Sequence, residues 1–148
     1  MDQSHEASCT VTSLDHIVLT VANIEATVAW YEKFLGMKHE EFTSSKGDTR
    51  HALKFGSQKI NLHKSDAEFE PKAHVPTPGS ADLCFLTKTS VDELLTKFHD
   101  ARIHVEEDGK VVERTGATGT LKSIYLRDPD ANLVEYVSYH GSIGKRIA

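Results

Sequence analysis

The chain has 148 residues, of which 39% are hydrophobic and 26% are charged, a composition typical of a soluble globular protein. Its 17 basic and 22 acidic residues give a net charge of -5, which argues against a protein that binds the nucleic-acid backbone. No apolar run reaches the roughly 18 residues of a membrane span, and the polar first residues do not resemble a signal peptide. The two cysteines, Cys9 and Cys84, form no disulfide framework, so we expect a cytoplasmic protein.

We predict a single domain over residues 14–140, because a chain of this length is close to the usual size of one domain. A disordered tail is expected over residues 1–13, and a second tail over 141–148. Residues 64–80 hold three of the four prolines and are interpreted as an extended linker between two modules.

The first module, residues 14–63, begins with a strand at 14–21, whose nearly continuous apolar run suggests burial on both faces. A helix should follow, because Asn23 is a suitable N-cap and Gly36 suits the left-handed position after the last turn. Three further strands are predicted, and turn residues separate them: 37–43, 51–55 and 59–63.

The second module, residues 81–140, repeats this order. A buried strand is predicted at 81–87, with Cys84 as an inert core thiol, and a capping box at residues 90–93 starts a helix. The strands that follow are predicted at 104–107 or 111–112, then at 122–127 and 132–139. Strand, helix and three strands thus occur twice, which favours an α+β fold of two paired modules over one sheet with accidental similarity.

Three ionisable side chains interrupt these apolar strands: His16, Asp82 and Glu135. Asp82 stands 66 residues after His16, at the equivalent position of the repeat. Because a buried carboxylate costs several kcal/mol unless it is paired or bound to a cation, we expect a divalent metal between these residues. One imidazole and two carboxylates suit iron, manganese, nickel or zinc.

Each of these residues also has a purely structural interpretation. His16 could be a satisfied histidine at the rim of the core. Glu135 could pair with a lysine or arginine, for instance Arg127, at a sheet edge, and Asp82 could hydrogen-bond the backbone beside Gly79 and Ser80 as a turn residue. His63 shares a strand face with Asn61 and could bind metal, carry a proton beside the metal, or simply face water.

Several segments of the sequence resemble the vicinal oxygen chelate superfamily. They are the strand sequence DHIVLTV, the helix sequence WYEKFLG, the strand KINLH and the hairpin sequence RDPDANLVE. The resemblance covers residues 14–139 and is greatest to the small branch described as glyoxalase domain-containing protein 5 or virulence-associated glyoxalase-like proteins, which the stretches EFEPKA and ERTGATG support.

The resemblance implies paired βαβββ modules that form a cupped mixed sheet around a cavity. It implies that His16 and Glu135 occupy the first and last metal-ligand positions and that Asp82 occupies a third, often histidine in the family. Asn61 stands at the remaining position, where relatives often have Glu, Gln or His. The implied cofactor is therefore a divalent metal ion: Fe, Mn, Ni or Zn.

The resemblance also implies Lewis acid catalysis by a lyase, isomerase or oxygenase that acts on a small carbonyl or vicinal-dioxygen compound. His63 and Tyr125 are the expected proton carriers, and the polar loops 68–74 and 114–119 should border the cavity. Arg114, Glu70 and Lys72 are the predicted substrate-binding residues, Arg114 as an anchor for an anion. Glyoxalase I activity is disfavoured because Asn61 replaces a metal carboxylate.

Extradiol ring cleavage would need two histidines on iron, and His16 alone matches unless His63 serves as the second. A metal-free protein that sequesters small molecules, of the bleomycin-resistance type, is the alternative function. A structural or partner-binding module is a third possibility. We expect a homodimer that takes a small-molecule substrate and binds neither nucleic acid nor a membrane.

Overall fold

The structure is a computed structural model that describes residues 5–139, so the predicted tail at 141–148 lies outside the described residues. This part of the chain forms eight strands, two helices of ten residues or more, and one four-residue turn at Glu106–Gly109. Their bounds in chain order are β1 His16–Val21, α1 Ile24–Leu35, β2 Lys38–Thr43, β3 Thr49–Phe55, β4 Gln58–Lys64, β5 Asp82–Leu86, α2 Val91–Asp100, β6 Val112–Gly116, β7 Gly119–Arg127 and β8 Leu133–Tyr139.

The strands form two four-stranded sheets of the same topology, ordered β1-β4-β3-β2 and β5-β8-β7-β6. The first strand of each module runs parallel to the last, and the other neighbours are antiparallel. The registers match as well, because Val18 lies opposite Asn61 in the first sheet and Cys84 lies opposite Glu135 in the second. The predicted α+β fold of paired βαβββ modules is confirmed.

The helix boundaries follow from local capping. Asn23 Oδ1 accepts a hydrogen bond of 2.8 Å from the Ala26 amide, and Gly36 ends α1 with a left-handed φ of 64°. Ser90 Oγ accepts a hydrogen bond of 3.2 Å from the Glu93 amide at the start of α2. Neither helix in residues 5–139 is long and apolar enough to cross a membrane.

The sixth strand, Val112–Gly116, overlaps the predicted alternative at 111–112 and not the one at 104–107. A strand at 104–107 is wrong, because Glu106–Gly109 forms a single turn in which Glu107 and Asp108 have positive φ. The predicted loop at 114–119 is also wrong in part, since it contains the end of β6 and the start of β7. Gly116 permits this tight hairpin, because a Cβ there would lie 2.5 Å from Leu121 Cδ1.

Both modules share one hydrophobic core. The sheet residues that belong to it alternate along the strands and are Leu19, Val21, Leu53, Ile60, Leu62, Ile124, Leu126, Val134 and Tyr136. Phe34 and Phe98 join the two helices in an edge contact of 6.1 Å between ring centroids. Two buried hydroxyls also connect the modules: Tyr31 donates to Asp128 Oδ2 at 2.7 Å, and Tyr136 donates to the Phe34 carbonyl at 2.8 Å.

The opposite side of each sheet therefore points away from the shared core, because side chains alternate along a strand. Val18 on β1 is 45% exposed and Leu86 on β5 is 64% exposed. The prediction that the first strand is buried on both faces is wrong for the single chain, since the helices cover only one of its faces.

Candidate functional site

The candidate site residues lie on the two outward sides of the sheets. Face A is the outward side of the first sheet and carries His16, Val18, Thr20, Arg50, Asn61 and His63. Face B is the outward side of the second sheet and carries Asp82, Cys84, Arg114, Ser123, Tyr125 and Glu135.

Glu135 lies at the centre of face B, opposite Cys84 on one neighbouring strand and Tyr125 on the other. Its Oε2 accepts a hydrogen bond of 2.6 Å from Ser123 Oγ. The alternative that Arg127 neutralises Glu135 is wrong, because Arg127 contacts the Ala131 carbonyl and Glu106 instead. No ion pair within the described chain involves Glu135. The Glu135 carboxylate is therefore held in position by Ser123 and forms no ion pair among the described residues.

The prediction that Cys84 is an inert core thiol is wrong about its location. Cys84 is exposed on face B, because β5 is an edge strand with one uncovered side. Partial desolvation of the thiol and the neighbouring Glu135 carboxylate raise the pKa of Cys84 to about 11. The thiol is therefore protonated at neutral pH.

Arg114 and Tyr125 form a hydrogen-bonded pair beside Glu135. Arg114 Nε donates to the Tyr125 hydroxyl at 3.1 Å, and its Nη2 donates to Glu107 Oε1 at 3.1 Å. Burial raises the pKa of the Tyr125 hydroxyl, an effect that Arg114 opposes. The predicted anion anchor Arg114 is thus already paired with a carboxylate in the single chain.

Two cavities adjoin Glu135 on face B, with volumes of about 480 and 420 Å³. Arg114 and Tyr125 line both cavities, and Asp82 lines the second one. Asp82 is exposed and does not make the backbone hydrogen bond that its interpretation as a turn residue requires. Asp82 and Glu135 therefore share one cavity, as the metal-site prediction needs.

Face A carries the two candidate histidines. His16 is exposed, and its Nδ1 lies 2.8 Å from Asp15 Oδ2, so its other ring nitrogen remains free to bind a ligand. His63 is only 7% exposed, and its ring meets the edge of Phe69 at 5.5 Å. Burial and the Arg50 charge lower the pKa of His63, while Glu68 opposes this effect. His63 is therefore a neutral base at pH 7.

Asn61 occupies the position in the first sheet that Glu135 occupies in the second. Its Oδ1 is buried and accepts no hydrogen bond. Such an atom in a folded protein calls for a missing partner, such as water, a ligand or an ion.

The segment that contains Glu70 and Lys72 lies at the border of face A. Lys72 Nζ is 3.4 Å from Glu68 Oε1 and 3.6 Å from Glu70 Oε2. A cavity of about 220 Å³ lies between this segment and the strands and is lined by Thr20, His63 and Lys72, among others. Glu70 and Lys72 as substrate-binding residues stay a prediction.

The single chain does not bring all predicted metal ligands together. Within residues 5–139, no group of three or more His, Cys, Asp or Glu side chains is placed to hold a metal ion. His16 lies on face A, whereas Asp82 and Glu135 lie on face B, and the shared core separates the two faces. The sequence analysis also missed Ser123, which holds Glu135, and Arg50, which lies beside His63.

The family model of the Glyoxalase/Bleomycin resistance protein/Dioxygenase superfamily matches residues 13–136. The chain belongs to this superfamily. The predicted resemblance is therefore confirmed, and the repeated βαβββ module is the architecture of a glyoxalase-superfamily protein.

Named relatives within the superfamily cover most of the chain. It is 51% identical to virulence protein STM3117 of Salmonella typhimurium over 126 residues. This aligned stretch covers 85% of this chain and 83% of that protein. It is 48% identical over 142 residues to glyoxalase domain-containing protein RDO1 of Mycosarcoma maydis, 93% of this chain and 74% of that protein.

Solved structures agree with this assignment. The crystal structure of virulence protein STM3117 superposes with a TM-score of 0.79 at 48% identity and covers 89% of this chain and 100% of that chain. The crystal structure of lactoylglutathione lyase from Agrobacterium tumefaciens superposes with a TM-score of 0.61 at 24% identity, covering 87% of this chain and 95% of that chain. The second likeness shows the fold alone.

Proposed function

We propose that this glyoxalase-superfamily protein is a metal-dependent enzyme whose site assembles between two copies of the chain. Face A of one copy supplies His16, and face B of the other copy supplies Asp82 and Glu135. The outward direction of both faces supports this arrangement, because it separates the ligands within one chain but exposes them to a second chain. The apolar side chains Val18 and Leu86 would lose their exposure in the same contact.

Glu135 supports the proposal most strongly, because its carboxylate is held in place by a hydrogen bond but forms no ion pair among the described residues. A carboxylate in an apolar strand is held by a 2.6 Å hydrogen bond from Ser123, yet no ion pair of the described residues neutralises it. A carboxylate that is held in position and lines two cavities is available as a ligand for a cation. A divalent metal ion bound there would supply the positive charge that the described residues do not place in an ion pair.

The chemistry of the donor set fits such an ion. An imidazole nitrogen and two carboxylates suit iron, manganese, nickel or zinc, and such a set leaves coordination positions open. Asn61 Oδ1, which is buried and accepts no hydrogen bond, offers a further neutral oxygen beside Val18 on face A. Asn61 and Glu135 occupy equivalent positions in the two modules, so each could contribute an oxygen ligand to the ion.

A bound cation would supply Lewis acidity toward two adjacent oxygens of a small carbonyl or vicinal-dioxygen substrate. The chain's own residues would do the rest. Neutral His63 can accept a proton on an imidazole nitrogen, because its lowered pKa leaves that nitrogen unprotonated. The Tyr125 hydroxyl, whose pKa burial raises, can donate a hydrogen bond to developing negative charge. These roles fit a lyase, isomerase or oxygenase.

Metal content tests the proposal directly. Protein purified without chelators is analysed for bound metal as the wild type and as the variants His16→Ala and Glu135→Gln. Near-stoichiometric metal in the wild type and a large loss in both variants are expected. Glu32→Gln is the matched control, because Glu32 is exposed on α1 and belongs to neither face.

Equal metal content in the wild type and in both site variants would contradict the proposal. In that case a metal-free protein that sequesters small molecules becomes the better assignment. The observation that favours this second function is that residues 5–139 of one chain contain no group of three metal-ligating side chains placed to hold an ion.

A further inference from the structure

His39 and His51 form a pair of histidines at the edge of the first sheet. His39 Nε2 lies 2.9 Å from His51 Nδ1, and the two rings stack with a centroid distance of 5.1 Å and an angle of 15° between their planes. Neither residue belongs to face A or face B. The pair therefore brings two nitrogen atoms of the kind that bind metal ions together at a second place in the molecule.

The pairing of β2 with β3 positions both rings. His39 lies opposite Leu53, and His51 lies opposite Glu41, so the two histidines are diagonal neighbours on the same side of the sheet. Diagonal neighbours are about 7–8 Å apart at the backbone, which long side chains that lean toward each other can span. Because both histidines stand on paired strands, no loop has to move to bring the two nitrogens together.

The pair lies on the opposite side of the first sheet from face A. Arg50 of face A and His51 are consecutive residues of β3, and consecutive side chains of a strand point to opposite sides. Leu53, on the same side as His51, is fully buried in the core, whereas His51 is half-buried and His39 is exposed at the edge strand. The sheet itself thus separates the pair from the residues of face A, and solvent reaches His39.

The distance between the two nitrogens suits two ligands of one ion. Imidazole nitrogens bind Zn²⁺ and similar metal ions at about 2.0–2.1 Å, so two of them at right angles around an ion are about 2.9 Å apart, and two at the tetrahedral angle are about 3.4 Å apart. The observed distance of 2.9 Å matches the right-angle arrangement. Right angles between neighbouring ligands are typical of the tetragonal sites of Cu²⁺ and Ni²⁺, and imidazole suits both ions.

A hydrogen bond joins the two rings when no ion is bound. A neutral imidazole carries one proton, so one of the two contacting nitrogens donates to the other. An ion bound to both nitrogens needs both of them unprotonated, and the donating ring meets this need when its proton moves to its other nitrogen. Both rings then stay neutral. No ion pair among the described residues involves either ring, so none has to break.

We propose that His39 and His51 chelate a divalent transition-metal ion of the Cu²⁺ or Ni²⁺ type at a second site, separate from the site between faces A and B. The exposed Glu41 lies opposite His51 on the same side of the sheet, so its negative charge favours a cation at this place. Within residues 5–139 no third His, Cys, Asp or Glu side chain is placed to bind the same ion, so water completes its coordination.

Calorimetric titration with Ni²⁺ tests the proposal on the wild type, His39→Gln, His51→Gln and the double variant. A chelating pair predicts that each single variant weakens the binding of the same Ni²⁺ equivalent by about tenfold or more, and that the double variant loses no further equivalent. His74→Gln, at an exposed position outside both strands, is the matched control and should bind Ni²⁺ as the wild type does.

Circular dichroism and thermal unfolding establish that each variant is folded. Equal Ni²⁺ binding in the wild type and in folded His39→Gln and His51→Gln would overturn the proposal. A further equivalent lost in the double variant would also overturn it, because two independent imidazoles would then bind separate ions. An equal loss in His74→Gln would show binding to any exposed histidine and would have the same consequence.

The two metal proposals can be tested separately. Glu135→Gln should keep the Ni²⁺ equivalent at His39 and His51, because Glu135 lies on face B of the other sheet. Loss of that equivalent in folded Glu135→Gln would contradict a second site.

Discussion

Ser123 and Glu135 lie on neighbouring strands of the second sheet, and the fully buried Ser123 hydroxyl donates a hydrogen bond of 2.6 Å to Glu135 Oε2. This distance is typical of a strong bond from a hydroxyl to a charged carboxylate. Ser123 therefore selects the orientation of Glu135 on face B. Groups that orient a metal ligand in this way commonly influence metal affinity almost as much as the ligand itself.

Replacing Ser123 by alanine should weaken metal binding by about 10- to 100-fold, because Glu135 loses the partner that orients it. Competition with a chromophoric chelator measures the affinity. The free energy of unfolding, from urea denaturation, should fall by only about 1 kcal/mol, the usual value of one hydrogen bond. Ser57→Ala, at an exposed position between β3 and β4, is the control. Unchanged metal affinity in Ser123→Ala would show that Ser123 has no orienting role.

Mixing two inactive variants should restore part of the metal content. In the proposed assembly, a mixed dimer of His16→Ala and Glu135→Gln chains contains one intact site and one doubly damaged site. Random exchange makes half of the dimers mixed, so metal should recover to about one quarter of the wild-type content. Elemental analysis before and after mixing measures this recovery. A site formed within one chain would show no recovery at all.

The exposed apolar residues of the two faces should hold the dimer together. Sedimentation at micromolar concentration should show a dimer for the wild type and mostly monomer for Val18→Glu and Leu86→Glu, because each change places a charge in the contact. Val11→Glu is the matched control, since Val11 is 81% exposed but precedes both modules. A wild-type monomer under these conditions would refute the dimer.

Tyr31 should make the protein sensitive to alkali. Burial and Asp128 raise the pKa of Tyr31 far above the value of about 10 in an unfolded chain. Above pH 10 the unfolded state therefore loses a proton that the folded state keeps, and stability falls by about 1.4 kcal/mol per pH unit for this residue. Urea unfolding from pH 8 to 11.5 measures the slope.

Tyr31→Phe should lower stability at neutral pH by about 2 kcal/mol, because Asp128 loses a buried hydrogen bond. Its stability should then fall less steeply above pH 10 than that of the wild type. Tyr136→Phe provides the comparison, since burial also raises the pKa of Tyr136 and its hydroxyl bonds a neutral carbonyl. An unchanged alkaline slope in Tyr31→Phe would contradict the role assigned to Tyr31.

Local signals in the sequence predicted the elements of the fold well. Asn23, Gly36 and Ser90 act as helix caps through contacts with residues only a few positions away, so the sequence pattern contains the information. The repeated order of strand, helix and three strands follows from the same kind of signal. The turn at Glu106–Gly109 was not predicted, and a strand at 104–107 was considered instead. Glu107 and Asp108 adopt a positive φ, which cannot be predicted from these residue types alone.

The site could be predicted only in part, because burial depends on how the modules pack. Cys84 and Val18 lie in strands that look like core strands, yet both are exposed on outward faces. The sequence analysis chose Arg114 as an anion anchor, and only the structure shows that a carboxylate already pairs with it. Glu107 bonds Arg114 from a turn seven residues earlier in the sequence.

Because faces A and B point outward, activity in the proposed assembly would depend on the concentration of the chain. Each chain contributes halves of two different sites, so a lone chain contains no complete one. Below the dissociation constant of the dimer, the number of complete sites rises with the square of the monomer concentration. Expression level alone would then switch the enzyme on and off, without an inhibitor or a covalent modification.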